Sequence, residues 1–204
     1  MSGILSGIVV ATQLALAAAP AAELRGLELM AALRSGGYTI VVRHARTDYD
    51  RPNRESPSVV PPSRQDQRNL SPAGEEDVVR MASVVRQHRL PIGEVISSPM
   101  YRCRETAAAF GADVALTMDL RTYPTVPALR ELLAARPAPG TNRVLVTHHF
   151  VIETGVPGIR PGDVNESEAV VIRTTAEGTL ELVGRILLAD WTTLAHAGGP
   201  AHGS

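Results

Sequence analysis

The chain has no lysine; all twenty of its basic residues are arginine. Every cation in a site is therefore a planar, permanently charged guanidinium, a fork suited to phosphate or carboxylate. Cys103 is the one cysteine, which excludes an intramolecular disulfide and a cysteine-based zinc site. It falls inside an expected helix and reads as a small buried thiol. A surplus of positive charge is also missing. The formal net charge of −1 argues against a general nucleic-acid binder, which needs a strong basic excess to neutralise phosphates. Finally, Met1 to Ala22 carries no charge at all.

That uncharged stretch is rich in Ala, Leu, Ile and Val and ends in Ala17-Ala18-Ala19-Pro20-Ala21-Ala22, a small-residue run of the type signal peptidase cleaves. The leading reading is an export signal, which makes the expected location periplasmic or secreted; without a signal it is cytoplasmic. An uncleaved membrane anchor stays open, since about 20 apolar residues can span a bilayer. A helix of the fold is disfavoured because the stretch has no polar face. The 204 residues suggest one domain, expected over 23–194, with a disordered Gly- and Ala-rich tail over 195–204. A chain of this size buries roughly 70% of its unfolded surface, enough for a sizeable core.

The most informative run is Tyr38-Thr39-Ile40-Val41-Val42-Arg43-His44. Its β-branched apolar residues read as a buried strand that stops abruptly at Arg-His. Glu94 to Ser97 and Arg143 to Thr147 are two further strands, and each also ends in polar residues: Ser97-Ser98 leading to Arg102, and Thr147-His148-His149. A weak strand covers Ala115 to Thr117, and a hairpin is expected from Ala169–Thr174 and Leu180–Leu188 around Gly178. Helices are expected over Glu23–Ser35, with Leu27, Met30, Ala31 and Leu33 apolar, and from Ser71-Pro72, which supply an N-cap and a first-turn proline. Met100–Phe110 and Pro127–Arg136 read as two more. Strands alternating with helices imply a three-layer α/β/α sandwich with a mainly parallel central sheet. Asp48 to Gln67 is a polar, proline-bearing loop, long enough to be a substrate lid and equally compatible with a surface insertion.

In a parallel sheet, neighbouring strand ends converge on one crevice. Two histidines and at least two arginines facing one another suit a dianion. Guanidiniums bind phosphate oxygens bidentately. A neutral imidazole can attack phosphorus and form a covalent intermediate that water later clears. A second imidazole can hydrogen-bond the equatorial oxygens in the transition state.

Arg43-His44-Ala45-Arg46-Thr47 resembles the Arg-His-Gly/Ala-x-Thr/Ser signature of the histidine phosphatase (phosphoglycerate mutase-like) superfamily. Ser98-Pro99-Met100-Tyr101-Arg102-Cys103-Arg104-Glu105-Thr106 resembles that family's Ser-x-x-x-Arg-x-x-x-Thr block. Leu145-Val146-Thr147-His148 is similar to its third block, and Arg68-Asn69-Leu70-Ser71 before Gly74 to the segment opening its first long helix. The resemblance runs in order from about Gly36 to Trp191. It implies a phosphatase acting on a small phosphorylated substrate, with His44 as the nucleophile that becomes phosphohistidine. It further implies Arg43 and Arg102 as the phosphoryl grip, His148 as the second pocket histidine and Thr47 as a hydroxyl that can reach the phosphate. His149 is expected to alternate to the other side of the strand as a neighbour. No cofactor and no metal are implied.

Two departures bear on the activity. Asp50 stands where mutase-type members carry an asparagine, and a carboxylate there repels substrate, so mutase chemistry is disfavoured. A proton donor to the leaving oxygen is not singled out among Asp119, Glu131, Glu153 and Glu168. Glu168 leads, as a substrate-side carboxylate, because Asn165-Glu166-Ser167-Glu168-Ala169 is similar to a Gly-Glu turn in a bacterial branch of the family. Arg46, Arg51, Arg54, Arg64 and Arg68 are available for a second anionic group of the substrate. A short-type protein phosphohistidine phosphatase and a catalytically silent phosphate-binding member of the fold are the alternatives. Oligomeric state is not legible, and membrane contact is expected only if the N-terminal stretch stays uncleaved.

Overall fold

The computed structural model describes residues 22–50, 63–111, 113–121 and 126–197. The export stretch and most of the Asp48–Gln67 loop lie outside them. Within them the elements run α1 (Gly26–Arg34), β1 (Thr39–Arg43), α2 (Pro72–Gln87), β2 (Ile92–Ser97), α3 (Tyr101–Ala107), β3 (Val114–Leu116), α4 (Val126–Ala134), β4 (Asn142–Thr147), α5 (His149–Gly155), β5 (Ala169–Thr174), β6 (Leu180–Ile186) and α6 (Leu188–Ala197).

The six strands form one sheet in the order β3-β2-β4-β1-β5-β6. β1, β4, β2 and β3 are mutually parallel, whereas β5 runs antiparallel to β1, and β6 pairs antiparallel with β5. The β-branched run of β1 lies at the centre because both of its faces are covered, as parallel strands require. Ile40 and Val42 join the cluster with Leu29, Met81, Cys103 and Trp191 on one face. Val41 packs with Leu129, Leu133, Leu145 and Ile152 on the other. Cys103 is the buried thiol its position suggested.

The register decides where chemistry can occur. Arg43 lies opposite Thr147, and Ser97 opposite Val146, so β1, β2 and β4 end level with one another. The residues that follow, His44, Ser98 and His148, then occupy one edge of the sheet.

The helix opened by Ser71-Pro72 is α2. Its N-cap works as the sequence indicates, with the Ser71 hydroxyl accepting the Gly74 N–H at 3.1 Å. Gly74 is required for a different reason. A Cβ there would stand 1.9 Å from the Arg46 carbonyl oxygen, so the helix rests directly on the loop after His44. Gly74→Ala is expected to cost about 1–3 kcal/mol by overpacking against backbone. A lower thermal midpoint accompanied by a fall in turnover checks this, because the displaced loop carries the active-site backbone.

Several expectations need correction. Leu29 joins Met30 and Leu33 on the inward face of α1, whereas Leu27 is exposed. α3 stops at Ala107, short of Phe110. His149 is not on a strand; it opens α5 and is exposed. Residues 195–197, expected in the tail, belong to α6, which is anchored by buried Trp191 and Leu194; residues 198–204 lie outside the described residues.

Candidate active site

His44 follows β1 directly and is 2% exposed. Its backbone is pinned on both sides, with N–H donating to the Thr147 carbonyl and C=O accepting from the Ser167 N–H, both at 3.0 Å. Ring Nδ1 lies 2.9 Å from the Ala45 carbonyl. A carbonyl can only accept, so Nδ1 carries the proton and Nε2 keeps its lone pair. That tautomer leaves a nucleophilic nitrogen directed away from the backbone.

His148 follows β4 in the same way and is buried beside it, with ring centroids 5.4 Å apart and planes at 67°. Arg102 Nη2 reaches His148 Nδ1 at 3.5 Å, and His148 Nε2 meets the Ser98 hydroxyl at 3.0 Å. Arginine only donates, which makes Nδ1 the acceptor and puts the proton on Nε2. The ring also stacks on Phe150 at 5.5 Å.

The two arginines come from different elements. Arg43 ends β1; its Nη1 donates to the Val164 carbonyl at 2.8 Å, while its buried Nε has no hydrogen-bond partner among the described residues. A phosphoryl oxygen would satisfy that donor. Arg102, on α3, is 6% exposed. The block that carries it also locks the loop after His44. Thr106 accepts the Ala45 N–H at 2.9 Å and donates to the Arg102 carbonyl at 2.7 Å. The Ser-x-x-x-Arg-x-x-x-Thr spacing thus contributes one group to His148, one to the anion site and one to the backbone beside His44.

Both histidines are held neutral. Burial lowers the pKa of His44 well below the usual value, reinforced by the charges of His148 and Arg102. His148 is lowered in the same sense, by burial first and then by Arg102, His149, Arg121 and Arg43. Above about pH 6.5 these rings are neutral folded or unfolded, so they contribute nothing. Below it the unfolded chain takes up protons that the folded chain refuses, and stability falls by up to about 1.4 kcal/mol per pH unit for each ring. Thermal melts between pH 7 and pH 5 are expected to show this fall, with a shallower slope in His148→Gln.

The other anticipated residues divide clearly. The Thr47 hydroxyl does not point at open space; it donates to Glu166 at 2.7 Å. Glu168 is turned away, its carboxylate accepting from the Asn165 backbone N–H at 2.9 Å and side chain at 3.3 Å. Glu166, two residues earlier, is the carboxylate beside His44, 3.8 Å from Nδ1. Among the other acid candidates, Asp119 accepts from Thr117, Glu153 from Gly162, and Glu131 is exposed on α4. Asp50 is exposed and bonds through its backbone N–H to Asp48. Arg46 is committed to Asp77 at 2.7 and 2.9 Å, and Arg64 to Glu105. Arg68 remains at the site, its carbonyl 3.5 Å from Arg102 Nη1 and its guanidinium over the Tyr49 ring. Arg51 and Arg54 lie outside the described residues. Sequence reasoning missed Glu166 and Arg121. The one available signal was that Glu166 and Glu168 share a segment, and spacing alone does not say which of them faces inward.

Comparison with known proteins bears on the fold and the sequence family. The sequence model of the histidine phosphatase superfamily (branch 1) matches residues 39–136, a span that includes Arg43, His44 and Arg102. No curated protein matches the chain. Among solved structures, the protein histidine phosphatase SixA complexed with tungstate aligns with a TM-score of 0.57 at 16% identity, covering 75% of this chain and 98% of that one. Phosphoserine phosphatase from Entamoeba histolytica in complex with 3-phosphoglyceric acid gives 0.52 at 13% identity, covering 72% and 95%. A mycobacterial glucosyl-3-phosphoglycerate phosphatase complexed with VO3 gives 0.52 at 18% identity, covering 72% and 97%. At these identities the structures speak for the fold. They share this chain's fold, and the sequence model adds a similarity to the histidine phosphatase superfamily over residues 39–136.

Proposed function

We propose that the protein is a phosphatase that hydrolyses a small phosphomonoester through a phosphohistidine on His44, with no metal ion. The observation that carries this reading is the His44 ring itself: buried, neutral, with Nδ1 occupied by the Ala45 carbonyl and Nε2 left as the nucleophile. Arg43 and Arg102 supply permanent positive charge for the equatorial oxygens, which is where transition-state stabilisation is needed. A bound dianion draws a hydrogen bond from Arg102 and favours protonation of His148, so the second ring becomes a donor only when substrate is present. Water then attacks the phosphohistidine and releases inorganic phosphate. Guanidiniums and imidazoles supply all the charge this route needs.

A second reading has its own support. Asp119, Glu131, Glu153 and Glu168 are all engaged or exposed away from His44, so none is aimed at a leaving oxygen. A phosphoramidate leaving group, as in phosphohistidine, needs less acid assistance than an alkoxide. The similarity in fold to SixA, a protein histidine phosphatase by name, points the same way. The uncharged stretch Met1–Ala22 supports export, which favours the small-ester reading, since phosphohistidine signalling is cytoplasmic. N-terminal sequencing of secreted protein tests the export proposal.

The deciding experiment is a panel of aryl phosphate, phosphoserine, sugar phosphates, phosphoglycerates and a phosphohistidine peptide, each with and without chelator. Metal-independent turnover of a phosphomonoester supports the first reading. Turnover of the peptide alone supports the second. Binding of phosphate without turnover of any substrate overturns both in favour of a silent binding protein.

A further inference from the structure

The carboxylate beside His44 has no part in the reaction as drawn. Glu166 precedes β5, and its side chain is 9% exposed. Oε1 accepts from the Thr47 hydroxyl at 2.7 Å and the Tyr49 hydroxyl at 3.0 Å, and Oε2 accepts from the Thr47 N–H at 3.1 Å. Arg68 Nη2 stands 3.7 Å from Oε1, and His44 Nδ1 3.8 Å. A buried negative charge beside a pocket for an anion opposes substrate binding, so its presence calls for a role that outweighs this cost.

The turn that carries Glu166 is built to hold it there. Ser167 adopts φ +69°, a left-handed conformation that side chains other than glycine rarely take. It is fully buried and engaged at every polar atom. Its N–H donates to the His44 carbonyl at 3.0 Å, and its carbonyl accepts the Trp191 indole N–H at 2.6 Å. Its hydroxyl donates to Asp77 at 2.7 Å and accepts the Arg46 N–H at 3.2 Å. Strained residues persist only where the surroundings over-determine them, and such sites cluster at function. Two of these bonds grip the backbone at residues 44 and 46, so the turn fixes Glu166 relative to His44.

We propose that Glu166 is a positioning residue for phosphoryl transfer, acting through His44, which it stabilises in the positively charged phosphohistidine state. The proposal rests on His44 being the nucleophile. The Nε2 lone pair forms the N–P bond, the P–O bond breaks, and the leaving oxygen takes a proton from water. The ring then carries phosphorus on Nε2 and hydrogen on Nδ1, with a net positive charge. Ala45 accepts the Nδ1–H, and Glu166 balances the charge from the same side. Hydrolysis returns the N–P electron pair to the ring and ends the need for that balance. The charges that lower His44 are those of His148 after β4, Arg102 on α3 and Arg43 on β1, while Arg68 before α2 faces Glu166. Those charges disfavour a positive ring, the Ala45 carbonyl opposes them, and Glu166 is the carboxylate placed beside the ring to do the same.

The test compares Glu166→Gln, which keeps an oxygen acceptor for Thr47 and Tyr49, with Glu166→Asp and Tyr49→Phe. Rapid-quench measurement with an aryl phosphate is expected to show phosphoenzyme formation slowed about 10- to 100-fold in Glu166→Gln. Tm should be unchanged, Glu166→Asp should restore part of the rate, and Tyr49→Phe should stay close to wild type. By NMR of labelled imidazole, which needs no substrate, His44 should titrate at lower pH in Glu166→Gln than in the wild type. Wild-type phosphoenzyme formation and an unmoved His44 titration in that variant overturn the proposal. So does a slowed rate that comes with a lower Tm and no recovery in Glu166→Asp, because that marks a purely structural role. A wild-type enzyme that hydrolyses substrate without forming phosphohistidine overturns the covalent reading instead, and the titration still judges Glu166.

Discussion

Replacing His44 by alanine is expected to reduce aryl phosphate turnover by about 10⁴-fold or more while the protein stays folded. The loss is large because the variant removes the atom that bonds to phosphorus, and the remaining groups can only orient water. Folding survives because the backbone bonds of His44 to Thr147 and Ser167 do not depend on its side chain. Tungstate or vanadate should still bind, since Arg43, Arg102 and His148 remain. Steady-state kinetics with an oxyanion-binding control check this. A variant that binds oxyanion and still turns over at the wild-type rate would assign the nucleophile elsewhere.

Arg102→Ala is the second large effect. Arg102 is almost wholly buried, meets the second histidine and lies beside the Arg68 carbonyl. Loss of one fixed donor to a transition-state oxyanion typically costs about 10²–10³-fold, and a comparable fall in kcat/KM is expected. Arg102→Lys should recover little of it, because an ammonium cannot span ring and phosphoryl oxygen as a planar fork does. The same variant carries a readout independent of turnover. Arg102 is the leading charge that depresses His148, so in Arg102→Ala that ring should titrate at higher pH. Recovery of full kcat/KM by lysine would show that charge alone, and not the fork, is what the site uses.

Much of this was legible in the sequence because β1 and β4 are unambiguous strands. Their apolar runs are β-branched and uninterrupted, and each stops at a residue with obvious chemistry. Once the sheet is taken as parallel, the meeting of His44 and His148 follows from strand alternation and level ends. What was not legible depends on burial of polar groups and on local backbone. Asp77 reads as an acid in the first turns of a helix, a place favoured by the helix dipole. In the fold it is fully buried, paired with Arg46 and Arg80 and bonded to Ser167. Arg46 accordingly supports the loop through Asp77 and Ala73. The turn at Ser167 carries no glycine to announce its left-handed backbone, so Glu166 could not be told from Glu168. α6 was missed because only Trp191 and Leu194 turn fully inward, too sparse a pattern to mark a helix.

The most direct measurement is to quench the enzyme during turnover of a ³²P-labelled aryl phosphate and map the label. The account predicts an acid-labile, alkali-stable phosphoryl group on the peptide containing His44, absent from His44→Ala. Label on His148, label on a serine or threonine, or full turnover with no covalent phosphate in a single-turnover quench would contradict it.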